Sequence, residues 1–262
     1  MLEALQSVQV HARIEGSGPD LLLLHGLFGN SRNWLAQQRE LATDWRVHAL
    51  DLRNHGQSPW HPATGSLDMA ADVRRYCVDH DIGSCAVLGH SMGGKTAMAL
   101  ALAEPARVRS LIVVDIAPVP NPPTLGPVVK AMRAVSLAGI TQRQAVGEQL
   151  AAAMPDAQVR AFLLQNLVHR DGRLHWRINL EAIDDGMAET LGFPAELADR
   201  RFDGPTGFIV GALSDYVRPE HRATFENLFP GYRLLSIGQA GHWVHAEQPA
   251  AFLEATRSLL TR

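Results

Sequence analysis

The chain has 262 residues, 46% hydrophobic and 19% charged, with a formal net charge of -3. That size and composition fit one globular domain with room for an insertion. The mild negative charge, without a Lys/Arg-rich run, argues against nucleic acid or an anionic membrane surface as the main partner.

The N-terminus, MLEALQSVQVHARIEG, lacks the basic start, apolar stretch and small-residue cleavage site of a secretory signal. Within it, Val8 to Ile14 alternates in polarity like a half-buried strand. The longest aliphatic run, Leu21 to Leu24, falls far short of the about 20 apolar residues that cross a bilayer. Apolar runs beginning at Asp20, Arg46, Cys85 and Ser110 read as strands buried on both faces. Amphipathic stretches from about Arg32 to Ala42 and about Leu67 to His80 separate them. So does an Ala/Leu/Met helix, Met92 to Ala103, which is stopped by Pro105. Strands alternating with helices predict a mostly parallel sheet with helices on both faces. The two cysteines, Cys77 and Cys85, show no metal-ligand spacing and are too few for a disulfide framework. We expect buried, reduced thiols in a cytoplasmic protein.

The rhythm breaks after Pro118, where PVPNPPTLGP holds five prolines in ten residues and can continue neither a helix nor an inner strand. From about Val128 to Leu197 the pattern is helical and predicts no strand. Strand-like TGFIVGA, a helix from about Pro219 to Leu228, strand-like YRLLSIG and a helix from about Pro249 to Leu260 follow. The expected layout is a core of residues 1–118 and 205–262 with a helical cap inserted at 119–204.

Gly89-His90-Ser91-Met92-Gly93 lies between a predicted strand and a predicted helix. A serine on so sharp a turn needs small neighbours, exposes its hydroxyl, and aims the next amide, that of Met92, at whatever it attacks. A serine hydroxyl is a weak nucleophile and needs a base. His242, in the Gly-rich loop GQAGHWVHAEQP after the last strand, lies on the side where open α/β sheets bind ligands. His245, three residues on, is expected to pack or cap. A neutral imidazole base predicts activity that rises with pH through the ordinary histidine range. Acyl transfer also needs donors for an oxyanion. In LLLLHGLFGN, the amide of Leu27 follows an early strand and can join that of Met92, while His25 reads as a structural hydrogen-bonding residue. For the acid, Asp115 closes the apolar run LIVV and is costly to bury without a partner such as an imidazole N–H. Asp215, in GALSDYV, is the alternative.

HGLFGN, DLRNHGQS, GHSMGGKTAM and AGHWVHAEQP, with serine preceding histidine, resemble the α/β-hydrolase superfamily. Within it, VVDIAPV and the G-x-x-S-x-Y-V segment make the chain most similar to YbfF-type bacterial esterases. The resemblance spans nearly the whole chain outside the insertion and implies an α/β-hydrolase fold with a cap. The superfamily usually places its acid three residues past the glycine that ends the strand after the cap. Here that position is Ser214, and Asp215 is one residue off. The YbfF-like resemblance points instead to Asp115, so Asp115 is favoured and Asp215 remains the alternative.

The function so implied is a serine hydrolase of carboxylic esters with small or medium acyl groups, working through an acyl-enzyme. The rivals are an acyl-CoA thioesterase, a C–C hydrolase or lyase, and a silent binding protein on the same scaffold. A haloalkane dehalogenase would need a carboxylate where Ser91 stands. Phe28, Trp243, Phe162 and Trp176 are pocket candidates, with Leu163 and Leu167 as further possible roof residues. Arg53, Asn54 and His55 are expected to hold a turn together. No cofactor and no metal are implied, since no ligand spacing such as His-Glu-x-x-His occurs. The expected partner is a small-molecule ester or thioester.

Overall fold

The computed structural model describes residues 1–122 and 124–260; Pro123, Thr261 and Arg262, which fall within the expected cap and core ranges, lie outside the described residues. Seven strands form the main sheet: β1 (Ala12–Glu15), β2 (Asp20–Leu24), β3 (Arg46–Leu50), β4 (Cys85–His90), β5 (Val108–Val114), and the later pair Thr206–Gly211 and Arg233–Ile237. Between β5 and that pair lies a small hairpin, β6 (Leu167–Arg170) and β7 (Arg173–Trp176), so the later pair are β8 and β9. The sheet order is β1-β3-β2-β4-β5-β8-β9. Within this sheet, among the described residues, only β1 runs antiparallel to its neighbour.

The four leucines of β2 show why the inner strands read as unbroken apolar runs. Successive side chains point to opposite faces. Leu22 and Leu24 join the core under the helices Ser66–Asp79 and Met92–Ala103, while Leu21 and Leu23 join the opposite layer with Trp34, Leu41 and Phe252. The helical expectations for residues 92–103, 67–80 and 249–260 agree with helices Met92–Ala103, Ser66–Asp79 and Pro249–Leu259.

Two expectations require correction. Only the last residues of the Val8–Ile14 stretch enter a strand. Ahead of it the chain takes other partners: the Val8 amide donates to Asp72 Oδ1 at 2.6 Å and the His11 amide to Ser58 Oγ at 2.8 Å. The insertion is also not wholly helical. Its β6–β7 hairpin turns at Asp171 and Gly172, both at positive φ (51° and 72°). Asp-Gly is the dipeptide that favours such a two-residue turn, so the signal was present between two short runs that lacked clear alternation.

The segment between β5 and β8 otherwise holds helices, including Gly126–Ala134, Arg143–Leu150 and Ala157–Leu164. It is tied to the core by buried polar contacts rather than by packing alone. Asn166 Nδ2 donates to the Phe28 carbonyl at 2.8 Å, the Asn179 amide to the Asn54 carbonyl at 2.9 Å, and Thr64 Oγ1 to the Gly186 carbonyl at 2.8 Å. The buried Lys95 ammonium donates to the carbonyls of Leu191 and Gly192. Arg53, wholly buried, is bound by Asp72 through Nε at 2.6 Å and Nη2 at 2.7 Å. Its turn is further fixed by Asn54 Oδ1, which accepts the His61 amide at 2.8 Å. Among the described residues no helix is long and apolar enough to cross a membrane.

Candidate active site

The central strand β4 ends at His90, and the chain turns directly into the helix Met92–Ala103 through Ser91, whose φ of 53° and ψ of -116° lie outside the ordinary allowed regions. Close approach dictates the flanking glycines. A methyl on Gly89 would sit 2.1 Å from the Gly93 carbonyl oxygen, and one on Gly93 2.5 Å from that of Leu24. Met92 is the first residue of the helix, where an amide has no partner in the helical ladder. The loop after β2 packs against this turn. A methyl on Gly26 would meet His90 Nδ1 at 2.8 Å and Ser91 Cβ at 3.3 Å, so Leu27 is carried beside Ser91. Phe28 is held at a φ of 63°, with its amide donating to His55 Nε2 at 3.3 Å and its carbonyl bound by Asn166.

Asp115 follows β5 at a φ of 51° and is completely buried. Its Oδ2 accepts from His242 Nδ1 at 2.7 Å and from the Ser214 hydroxyl, and its Oδ1 accepts the Gly211 amide at 3.0 Å. Because β4 and β5 pair in parallel with His90 opposite Val114, Ser91 and Asp115 leave adjacent strands side by side. Asp215 is exposed, and its carbonyl accepts from Arg218 Nε at 2.9 Å; the contact with His242 Nδ1 is made by Asp115.

Ser91 and His242 line one cavity of about 240 Å3 together with Leu27, Phe28, Phe162 and Trp243. Leu125, Val128, Val159 and Leu163 of the insertion supply much of the remaining apolar wall. Phe162 and Trp243 face each other with ring centroids 5.8 Å apart. Trp176 is not on this cavity. It ends β7, where alternation puts it on the same face as Leu174, packed against the main core. Leu167 is likewise buried in that core and does not line the cavity. Met92, Leu27 and Ser91 also border a small cavity of about 20 Å3 that reaches Lys95 and Asn121.

Several neighbours escaped the sequence reading. Tyr216 stacks on His242, with centroids 3.9 Å apart and planes inclined at 18°. Ser214 holds the Asp115 carboxylate from the very position where the superfamily usually carries its acid. His90 Nε2 donates to the His242 carbonyl at 2.9 Å, and burial, reinforced by the neighbouring His242, holds the His90 imidazole well below its ordinary value. His25 Nδ1 donates to the Gly26 carbonyl at 2.8 Å while its Nε2 accepts the Leu52 amide at 3.0 Å, the structural role expected of it. His245 does more than pack or cap, since its ring is buried and lines the cavity. Among the described residues no cluster of His, Cys, Asp and Glu could hold a metal ion.

A seven-stranded, mostly parallel sheet with a strained serine at the end of its central strand is the architecture of α/β hydrolases. Residues 19–249 match the family model described as the alpha/beta hydrolase fold, and the chain belongs to that family. Among its relatives, the sn-1-specific diacylglycerol lipase ABHD11 of Mus musculus is 38% identical over 250 residues, 92% of this chain and 81% of that protein. Esterase YbfF of Escherichia coli K12 is 34% identical over 250 residues, 95% and 96% of the two chains. The solved structure of a marine microorganism esterase superimposes with a TM-score of 0.94 at 33% identity, covering 97% of this chain and 100% of that one.

Proposed function

We propose that this chain is a serine hydrolase of carboxylic esters, in which Ser91 attacks, His242 is the base and Asp115 the acid. The contact between His242 Nδ1 and buried Asp115, beside a serine held on a strained turn, carries the reading. The Gly211 amide and the Ser214 hydroxyl already donate to the Asp115 carboxylate, so the shared proton at the third contact belongs to His242 Nδ1. That tautomer leaves Nε2 free to take the Ser91 proton. Ser91 then attacks the acyl carbonyl, and the amides of Leu27 and Met92 stabilise the oxyanion. The protonated His242 gives its proton to the leaving alcohol, and water activated by the same imidazole hydrolyses the acyl-enzyme. Tyr216, stacked on the imidazole, restricts its rotation during this cycle.

The apolar cavity walls suit a small or medium acyl group. Residues 119–204 serve as a cap that roofs this cavity, a role supported by Val128, Val159, Phe162 and Leu163. The relatives' names, esterase and lipase, agree with ester hydrolysis. The partner is a small-molecule ester rather than nucleic acid, in keeping with the charge of -3. Two buried free thiols, Cys77 and Cys85, suit a reducing cytoplasm. The test is hydrolysis of p-nitrophenyl butyrate, together with labelling by a fluorophosphonate and localisation of the adduct by mass spectrometry. Turnover that vanishes in Ser91→Ala, with the adduct on Ser91, is the expected result; wild-type turnover no faster than Ser91→Ala overturns the reading.

A further inference from the structure

Ser91 borders two cavities of very different size. The larger, about 240 Å3, and the smaller, about 20 Å3, share Leu27, Ser91, Leu125 and Tyr216 among the described residues. On a scale where one water needs about 10–15 Å3, the smaller holds a single group of methyl or ethyl size. The larger holds a chain of several carbons, and among the described residues no Lys, Arg, Asp or Glu lines it. The smaller cavity is not free to swell. Buried Met92, Lys95 and Ile116 form part of its wall. Ile116 is pressed against the helix that follows Ser91, since a methyl on Gly94 would meet its Cγ2 at 2.6 Å. Thr190 and Leu191 of the insertion form another part, and both are tied down. The Leu191 carbonyl accepts from Lys95 Nζ and from the Asn121 amide at 2.9 Å, while Thr190 Oγ1 donates to the Gly186 carbonyl at 3.0 Å.

An ester attacked by Ser91 extends away from its carbonyl carbon in two directions, and two cavities meet at Ser91 to receive its halves. By size alone the larger could take either half; the position of His242 decides between them. When the bond between the acyl carbon and the alcohol oxygen breaks, that oxygen keeps the electron pair and takes the proton from His242 Nε2. It must therefore lie within about 3 Å of that nitrogen. Of the two cavities, His242 borders the larger and not the smaller. Met92, whose amide is one of the proposed oxyanion donors, borders the smaller and not the larger. The alcohol half accordingly occupies the larger cavity, and the acyl half is left with the smaller.

We propose that the substrate is an acetate or propanoate ester of an uncharged, apolar alcohol, with Ile116, Thr190 and Leu191 setting the limit on the acyl group. The inference rests on the esterase reading above and narrows both halves of its ester. It is tested with three isomers of one formula, hexyl acetate, butyl butanoate and ethyl hexanoate, which move the same carbons from the alcohol to the acyl side. Released acid is followed by titration at constant pH, with Ser91→Ala as the blank. In the wild type kcat/KM should fall in that order, by about tenfold or more from hexyl acetate to ethyl hexanoate, because methylenes forced into a filled space are repelled. Leu191 borders the smaller cavity and not the larger, so Leu191→Ala should bring the ratio of hexyl acetate to butyl butanoate down towards one. If that variant fails to fold, Ile116→Val, which removes one methyl from the same wall, should shift the ratio in the same direction. An equal or reversed order in the wild type overturns the assignment and leaves ester hydrolysis standing. A ratio unmoved by the wall substitution also overturns it. No turnover of any isomer above the blank overturns the esterase reading and this inference with it.

Discussion

Asp115→Asn is the substitution that probes the proposed triad most directly. Asparagine has the shape of aspartate, and its carbonyl can keep the Gly211 amide that Oδ1 holds now at 3.0 Å. Its NH2 group then replaces the oxygen that meets both His242 Nδ1 at 2.7 Å and the Ser214 hydroxyl. A donor facing Nδ1 selects the imidazole tautomer with its proton on Nε2, which cannot accept from Ser91. Loss of the working tautomer in a triad costs about 10^4-fold in kcat, and at about 1.4 kcal/mol per decade this is about 5 kcal/mol of transition-state stabilisation. The assay is kcat for p-nitrophenyl butyrate at pH 8, with Ser91→Ala as the blank. Asp215→Asn, at an exposed turn where the backbone carbonyl accepts from Arg218, should stay within about twofold of wild type. If Asp115→Asn keeps activity within tenfold while Asp215→Asn loses it by orders of magnitude, the acid is Asp215 and the reasoning from the buried contact is wrong.

Ser214→Ala removes one of three donors to a completely buried carboxylate. It should lower kcat by about tenfold, the scale of one hydrogen bond to a charged group, with Ser214→Thr retaining most activity in the same assay. Gly89→Ala forces a methyl to 2.1 Å from a backbone oxygen that cannot swing away; a loss of about 3 kcal/mol should appear as a lowered urea midpoint, and an unchanged midpoint would refute the steric reading. Burial pushes Lys95 from its ordinary 10.5 down to about 7. Between those values the unfolded chain binds more protons than the folded one, so stability is fully present above about 10.5 and is lost as pH falls to about 7. Urea midpoints should therefore rise from pH 7 to pH 10 in the wild type, and Lys95→Met should flatten that rise.

What could be read in advance was whatever the backbone imposes locally. Gly89 and Gly93 flank Ser91 because nothing larger fits, and that steric demand is written within five consecutive residues. Asp115 was legible as a carboxylate closing an apolar strand, although the residues that satisfy it, Gly211, Ser214 and His242, lie about a hundred or more positions away. The hairpin β6–β7 was missed because its strands have only four residues each, too short for alternation to stand out against helical neighbours. Trp176 was placed on the roof for the same reason: a helix would have offered it several directions, whereas the strand commits it to the core side with Leu174. Trp34 and His245 meet across 211 positions (245 − 34), and no local pattern reports such a meeting.

The position of Asp115 also bears on how this scaffold tolerates change. Ser91 and Asp115 both precede the insertion, held by neighbouring strands whose register runs from Cys85–Val108 to His90–Val114. With the proposed acid placed after β8 instead, every gain or loss of residues in the intervening segment would threaten the spacing between it and the proposed nucleophile. Here that spacing is insulated from residues 119–204 by two strands and one helix. Grafting a longer, shorter or foreign insertion onto this frame therefore puts only the return of His242 at risk, through β8 and its four-residue pairing with β5. The chain is, in that sense, a chassis on which residues 119–204 can be exchanged while two of the three residues of the proposed triad stay in alignment.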